Sequence, residues 1–183
     1  MTDQPDQAYR DYVADRLPML RRLAYLLCQD WHRADDLVQS ALVRVYLRWE
    51  RVAAATDRDA YSRTVLVRVF LSERRTGWAR RVVLVDAPPD ATATVDPDTA
   101  SAVTVRTALA GLPPRQRAVL VLRYYYDLSV DHTADALGCS AGTVKSQTSR
   151  ALAALRRTLP DEEPTLPHQK LKYQAPGRRG GGR

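Results

Sequence analysis

The sequence predicts an all-α fold made of two small helical domains joined by a flexible linker. Apolar residues recur at helical spacing along almost the whole chain, and the one strand-like exception is short, Val82–Val85. The segment DAPPDATATVDPDTA, residues 86–100, is rich in Pro, Asp, Ala and Thr and has no apolar periodicity, which is typical of a linker. Helical periodicity resumes after it, so a second helical unit follows.

The first domain, residues 1–81, contains three predicted helices. Asp57 and Asp59 are start signals for the third helix, because an aspartate side chain can accept a hydrogen bond from a free N–H of the first turn. That helix is apolar on nearly every side, which predicts a buried position. The three helices are expected at about Tyr9–Cys28, Ala34–Arg51 and Asp59–Arg75.

The second domain, residues 100–160, contains four predicted helices after a linker at 82–99. The sequence GLPP separates the first two, and Pro114 suits the first turn of the helix that follows. Residues 161–183 hold prolines and the end GRRGGGR, which predicts a disordered basic tail. The helices are expected at about Ala100–Ala110, Pro114–Asp127, Val130–Leu137 and from Ser140 onward.

The last two of these helices have the signature of a helix-turn-helix. Gly138 can adopt the left-handed conformation that ends a helix, and Ser140 is a natural N-cap for the next one. No Asp or Glu occurs between Ser140 and Leu159, so an anionic groove could approach closely. A plain helical hairpin with a solvated basic face is the other interpretation. The predicted DNA-reading residues, here called the recognition set, are Ser140, Gly142, Thr143, Lys145, Ser146, Gln147, Ser149 and Arg150.

Composition and charge favour an anionic partner. The net charge is +7 and the sequence pI is about 9.7, which suits nucleic acid. No apolar run approaches the roughly 20 residues that span a bilayer, and the N-terminal segment lacks the apolar core of a signal peptide. With only two cysteines, a disulfide framework is not expected. These features predict a cytoplasmic protein without membrane insertion.

The sequence shows no recognisable catalytic motif, so we predict that the chain is not an enzyme and takes no cofactor. It contains no Ser–His–Asp set, phosphate-binding glycine loop or clustered carboxylate pair. Cys28 and His32 stand about one helical turn apart, but no second pair accompanies them. A structural role is therefore favoured over a zinc site, and no metal is expected.

Two long segments carry a resemblance to a known family. The segment LAGLPPRQRAVLVLRYYYDLSVDHTADALGCSAGTVKSQTSRALAALR resembles region four of a bacterial RNA polymerase sigma factor of the extracytoplasmic-function (ECF) group. The segments RLAYLLCQDWHRADDLVQSALVRVYLRW and DAYSRTVLVRVFLSERR resemble region two. The phrases DWHRADDLVQSALVRVY and GTVKSQTSRAL are especially similar to the actinobacterial SigE-type subfamily.

The resemblance implies a transcription initiation factor with defined partners. Region four would read the −35 promoter element, and region two would open the −10 element. The implied partners are promoter DNA and RNA polymerase core, contacted through the beta-prime clamp helices and the beta flap. An anti-sigma factor is an additional candidate partner.

The second predicted helix carries the surface that the family uses for the polymerase clamp. Val43 and Leu47 lie opposite the core stripe, with polar residues beside them, as a partner-binding surface can have. Family members usually carry Glu where this chain has Ser40, so part of that contact is expected to differ. The predicted contact residues, here called the clamp set, are Asp35, Asp36, Gln39, Ser40, Val43 and Leu47.

The end of the third predicted helix is expected to hold the −10 element. From Arg63 to Arg81, Glu73 is the sole acid, so phosphate neutralisation is physically plausible. Trp78 is a candidate stacking surface for unpaired bases, whereas Tyr61 is better explained by packing. The −10 set is Arg63, Arg68, Arg74, Arg75, Trp78, Arg80 and Arg81.

Base capture is assigned only loosely, to the loop at Val52–Asp59. Relatives usually carry Asn where this chain has Arg68, so the capture pocket is expected to differ from theirs.

Two functions of other classes remain open from the residues alone. A stand-alone helix-turn-helix repressor would form a dimer and bind a palindromic operator without polymerase. A nucleic-acid-processing enzyme would need clustered metal-binding carboxylates, which the sequence does not show.

Overall fold

The computed structural model describes residues 3–80 and 100–158, and every regular element in these ranges is helical. The predicted tail at 161–183, Val82–Val85 and the linker up to residue 99 lie outside the described residues. The helices are α1 Asp3–Cys28, α2 Trp31–Tyr46, α3 Trp49–Ala53, α4 Arg58–Arg80, α5 Ala100–Ala110, α6 Pro114–Leu120, α7 Val130–Leu137 and α8 Ala141–Thr158, with a π-helical turn at Val121–Tyr125.

A sharp turn between α1 and α2 begins the first domain. Gln29 ends α1 with φ of 62°, and its N–H donates to the carbonyl of Tyr25 at 2.7 Å. Asp30 then caps α2, because its Oδ1 accepts from the N–H of Arg33 at 3.0 Å. The helix therefore begins at Trp31, three residues earlier than the apolar pattern predicts.

The second predicted helix is divided in two. After Tyr46 the last turn tightens, and the N–H of Arg48 donates to the carbonyl of Val45 at 3.1 Å. The short helix α3 then buries Trp49, whose ring lies 5.3 Å from the rings of both Tyr9 and Tyr12. The prediction of one continuous helix to Arg51 is therefore wrong, because Trp49 turns inward toward α1.

The second domain departs from the prediction at one point. The helix from Pro114 does not continue as an α-helix to Asp127 but widens into the π-helical turn, where the N–H of Tyr126 donates to the carbonyl of Val121 at 3.1 Å. The N–H of Leu128 then donates to the carbonyl of Leu122 at 3.0 Å. The wider turn directs the backbone toward α7.

The two domains share one hydrophobic core. Leu27, Leu66 and Phe70 of the first domain belong to the same buried cluster as Leu122 and Ala136 of the second. The all-α, two-domain fold is confirmed, but the sequence analysis did not predict that the domains pack against each other. This packing determines the surroundings of several predicted site residues.

Candidate nucleic-acid and protein interfaces

The helix-turn-helix forms as its local signals predict. Ser129 caps α7 by accepting from the N–H of His132 at 3.1 Å, and Gly138 ends α7 in the left-handed conformation with φ of 63°. Ser140 caps α8 by accepting from the N–H of Thr143 at 3.2 Å. Val144 of α8 is fully buried in a cluster with Ala134 of α7, so the two helices pack against each other.

The recognition set lies on the open side of α8. Val144 and Ala151 are completely buried on the other side. Thr143 and Gln147 are partly buried at the edge of the open face. The exposed members are Ser140, Gly142, Lys145, Ser146, Ser149 and Arg150.

The small hydroxyls of this face are used within the helix. Ser146 donates to the carbonyl of Thr143 at 3.0 Å, and the hydroxyls of Ser140 and Thr143 lie 2.9 Å apart. The long side chains of Lys145 and Arg150 stay exposed, which leaves donors for base edges and phosphates.

A cleft of about 390 Å³ adjoins the recognition face. Gln147 and Arg150 line it from α8, and Leu71 lines it from α4 of the first domain. Pro114 and Arg115 contribute from α6. Two members of the recognition set therefore border the junction of the domains.

The apolar part of the clamp set is exposed. Val43 is 58% exposed and Leu47 is 75% exposed, whereas Val45 between them is buried. Tyr46 extends this surface at 46% exposure. Sequence reasoning missed Tyr46, although its position three residues after Val43 was a usable signal. The Tyr46 hydroxyl donates to the Asp6 carboxylate at 2.9 Å, and this hydrogen bond raises the pKa of Tyr46.

The polar members of the clamp set differ in their surroundings. Asp35 accepts two hydrogen bonds from Arg21, at 2.6 and 3.0 Å, and this pairing raises the pKa of Arg21. Asp36 and Gln39 are exposed, whereas Ser40 is partly buried. Because α2 begins at Trp31, the two aspartates lie in its second turn.

Two members of the −10 set contact the second domain. The Arg63 guanidinium lies 4.9 Å from the centre of the Tyr126 ring, and burial raises the pKa of Tyr126. Arg68 donates from Nη2 to the carbonyl of Asp135 at 2.8 Å and from Nε to that of Ala136 at 3.1 Å.

The other members of the −10 set remain predictions. The backbones of Arg74, Arg75, Trp78 and Arg80 belong to α4, but their side chains, like Arg81 as a whole, lie outside the described residues. Tyr61 packs against the cluster of Val45, Trp49 and Val52, as its spacing indicates. The segment assigned to base capture, Val52–Asp59, runs from the end of α3 into the first turn of α4. Arg58, the first residue of α4, donates to the carbonyl of Ala53 at 3.1 Å.

Cys28 and His32 have different surroundings. Cys28 is buried and its thiol donates to the carbonyl of Asp30 at 3.0 Å, while burial raises its pKa. His32 is exposed. Within residues 3–80 and 100–158, no group of three or more His, Cys, Asp or Glu side chains could hold a metal ion. Over the same ranges, no helix has the length and apolar character needed to cross a membrane.

Two family descriptions match the chain. Sigma-70 region 2 matches residues 12–80, and Sigma-70, region 4 matches residues 102–155. The matched ranges include α4, α7 and α8 as far as Leu155.

Curated relatives agree with these matches. The RNA polymerase sigma-E factor of Streptomyces avermitilis is 42% identical over 158 residues, covering 82% of this chain and 84% of the relative. The corresponding protein of Streptomyces coelicolor is 39% identical, with coverage of 82% and 85%. The ECF sigma factor SigL of Mycobacterium tuberculosis is 34% identical, with coverage of 77% and 82%.

A solved structure supports the fold. The sigma factor RpoE of Bartonella quintana, in complex with the anti-sigma factor NepR, aligns with a TM-score of 0.71 at 24% identity, covering 86% of this chain and 99% of that one. Because both sigma regions match in one chain, a stand-alone repressor is not favoured. The chain belongs to the ECF group of the sigma-70 family of RNA polymerase sigma factors.

Proposed function

We propose that this sigma factor uses three separate surfaces to start transcription. The open face of α8 reads the −35 element, the end of α4 and the loop before it bind the −10 element, and the exposed face of α2 binds the polymerase clamp. The observation that carries the proposal is the acid-free, exposed side of α8 on a rigid helix-turn-helix.

The α8 surface has the chemistry that major-groove reading requires. Gly142, Ser146 and Ser149 are small enough to let the backbone approach base edges. Lys145 and Arg150 are exposed cations beside them, and an arginine can donate two hydrogen bonds to a guanine. The buried stripe of α8, centred on Val144 and Ala151, fixes the orientation of these donors.

The α2 surface has the chemistry of a protein contact. Val43, Tyr46 and Leu47 form an exposed apolar group, and Asp36 and Gln39 supply polar atoms nearby. An apolar centre with a polar rim is characteristic of protein interfaces. We assign it to the beta-prime clamp helices, and the second domain to the beta flap.

The end of α4 is assigned to the −10 element. The support is the run of arginines from Arg74 to Arg81 and the aromatic ring of Trp78. The family resemblance gives the same segment this role.

Three further statements complete the proposal. The protein has no catalytic activity of its own, because RNA synthesis belongs to the polymerase. It acts in the cytoplasm, where polymerase and promoter are found. An anti-sigma factor restrains it, as NepR is bound to the Bartonella sigma factor.

Run-off transcription with purified core polymerase tests this function. We expect a transcript with a defined start only when this chain and the core enzyme are both present. A gel shift with the chain alone should show little specific promoter binding. Specific, tight binding by a dimer to a palindrome, together with no transcript, would instead support a stand-alone repressor.

A further inference from the structure

Arg68 attaches the first domain to a helix end of the second. It donates to the carbonyls of Asp135 and Ala136, which lie in the last turn of α7. The last four carbonyls of a helix have no partner within the helix and carry the negative end of its dipole. A guanidinium with fixed parallel donors suits two such carbonyls. The Asp135 carbonyl also accepts from the N–H of Gly138 at 3.3 Å, so Arg68 adds to the cap of α7 from the other domain.

Neighbouring contacts reinforce the same junction. Arg63, about one and a half helical turns before Arg68 on α4, stacks on Tyr126 just after the π-helical turn. On another side of α4 from Arg68, Leu66 and Phe70 share a buried cluster with Leu122 and Ala136. Contacts from more than one side of α4 therefore hold the helix-turn-helix against the first domain.

This closed arrangement cannot span a promoter. With a rise of about 3.4 Å per base pair, elements about 25 base pairs apart are separated by about 85 Å along straight DNA. Here α4 of the −10 domain and α7 of the −35 domain are joined by a 2.8 Å hydrogen bond. The two domains must separate before both elements are bound.

We infer that Arg68 is an interdomain latch that holds the free protein closed and releases when core polymerase binds. The inference rests on the proposed function, because the domains need to separate only if both of them bind promoter DNA. In the closed form two of the five Arg68 N–H donors are occupied by carbonyls of α7. The apparent affinity of a ligand that binds only the open form is therefore reduced in proportion to the fraction of molecules that are open.

The latch is testable on the full chain without polymerase. Spin labels at Ala14→Cys and Ala153→Cys, both at exposed positions, report the distance between the domains in a Cys28→Ala, Cys139→Ala background. We expect Arg68→Ala to shift the open-to-closed ratio by about tenfold, since two charge-assisted hydrogen bonds are lost. Arg68→Glu should shift it further, because it places a carboxylate at the negative end of α7.

The matched control is Arg10→Glu, which changes the net charge equally at an exposed position of α1. It should leave the distance distribution of the labelled parent unchanged. Circular dichroism checks that each variant keeps its helical content, and Arg68→Ala carries the test if Arg68→Glu does not fold. Identical distance distributions in the parent and the folded Arg68 variants would overturn the latch.

Adding core polymerase gives a second, distinguishable readout. The labelled parent should move to long distances in the complex, and a short distance in a formed complex would overturn the latch. Failure to form any complex would instead count against the proposed function, while the measurements on the free protein would still decide the latch.

Discussion

Arg117 of α6 donates from Nη1 to the carbonyl of Leu27, at the end of α1 and 90 residues earlier, at 2.8 Å. Its Nη2 donates to the carbonyls of Ala110 and Leu112 at 2.6 and 3.1 Å. The residue is 5% exposed, and these three hydrogen bonds offset part of the cost of burying its charge. One guanidinium therefore ties the ends of α1 and α5 to α6.

Replacing Arg117 should destabilise the whole molecule. Arg117→Ala leaves buried carbonyls in both domains without this donor, and we expect a loss of at least about 2 kcal/mol in the free energy of unfolding. Arg117→Lys should recover only part of this loss, since an ammonium cannot reach the same spread of acceptors. Urea unfolding followed by circular dichroism measures it. Arg115→Ala, at an exposed position on the same helix, is the control, and an equal effect in both variants would contradict the prediction.

Local signals predicted the helices better than they predicted the docking of the domains. Gly138 and Ser140 determine a helix end and a helix start through their own backbone and side-chain chemistry, so the helix-turn-helix could be predicted from a short segment. Arg117 was missed because its partners are carbonyls, which every residue carries. A usable signal was its place on the same helical face as Leu120 and Val121, which are buried.

The roles of the α4 arginines could not be read from the sequence for a similar reason. A basic segment predicts anionic partners, and helix-end carbonyls attract arginine as phosphates do. The nearly all-round apolar character of α4 was the overlooked hint. Leu66, Val67, Val69 and Phe70 are all completely buried, which requires packing partners on more sides than a surface helix has.

Substitutions of the apolar residues of the clamp set should abolish polymerase binding without destabilising the fold. Val43→Asp with Leu47→Asp places two charges where an apolar contact is expected, so core association should be lost. Both side chains are more than half exposed, so the unfolding free energy should change by less than about 0.5 kcal/mol. Co-migration with core polymerase on size exclusion measures the association.

The matched control for the clamp surface is Ala14→Asp on the exposed face of α1. It should co-migrate with core polymerase like the parent. Unchanged association of the double variant would remove Val43 and Leu47 from the clamp surface.

Tyr126 should make stability sensitive to high pH. Burial raises its pKa in the folded protein, so the folded state keeps a proton that the unfolded state loses above about pH 10. The contribution is complete below that pH and is lost as the pH rises toward the folded-state pKa. Between about pH 8 and about pH 11, the free energy of unfolding should fall by about 1 kcal/mol more in the parent than in Tyr126→Phe.

Urea unfolding at the two pH values tests the Tyr126 prediction. Tyr124→Phe, at a position that is 40% exposed, should behave like the parent. Equal losses in the parent and in Tyr126→Phe would assign the alkaline sensitivity to other groups.

The two glycines of the helix-turn-helix should respond oppositely to alanine. Gly138 has φ of 63°, so Gly138→Ala should cost about 1 kcal/mol through backbone strain alone, since nothing lies near the added Cβ. Gly142→Ala would meet only Ser140 Oγ at 3.8 Å and improves helix propensity, so stability should be unchanged or rise by up to about 1 kcal/mol. Thermal and urea unfolding measure both. Equal destabilisation by the two substitutions would contradict this assignment of the turn.

Arg150 should contribute to reading the −35 element. It is exposed on the acid-free side of α8, next to the small Ser146 and Ser149, so its guanidinium can approach a base edge. If it pairs with a guanine, Arg150→Ala should weaken the preference for the correct base by about 1–3 kcal/mol, or about 5-fold to 150-fold. Run-off transcription on a set of promoters with single changes in the −35 element measures that preference.

The salt dependence of promoter binding by the holoenzyme separates base reading from phosphate binding. A phosphate contact would weaken all promoters alike and lower the salt slope by about 1, without changing the order of preference. Arg157→Ala, at an exposed position near the end of α8, is the matched loss of charge and should leave the order of preference unchanged. An unaltered promoter profile for Arg150→Ala would exclude Arg150 from base reading, because a donor that specifies a base cannot be removed without changing which base is preferred.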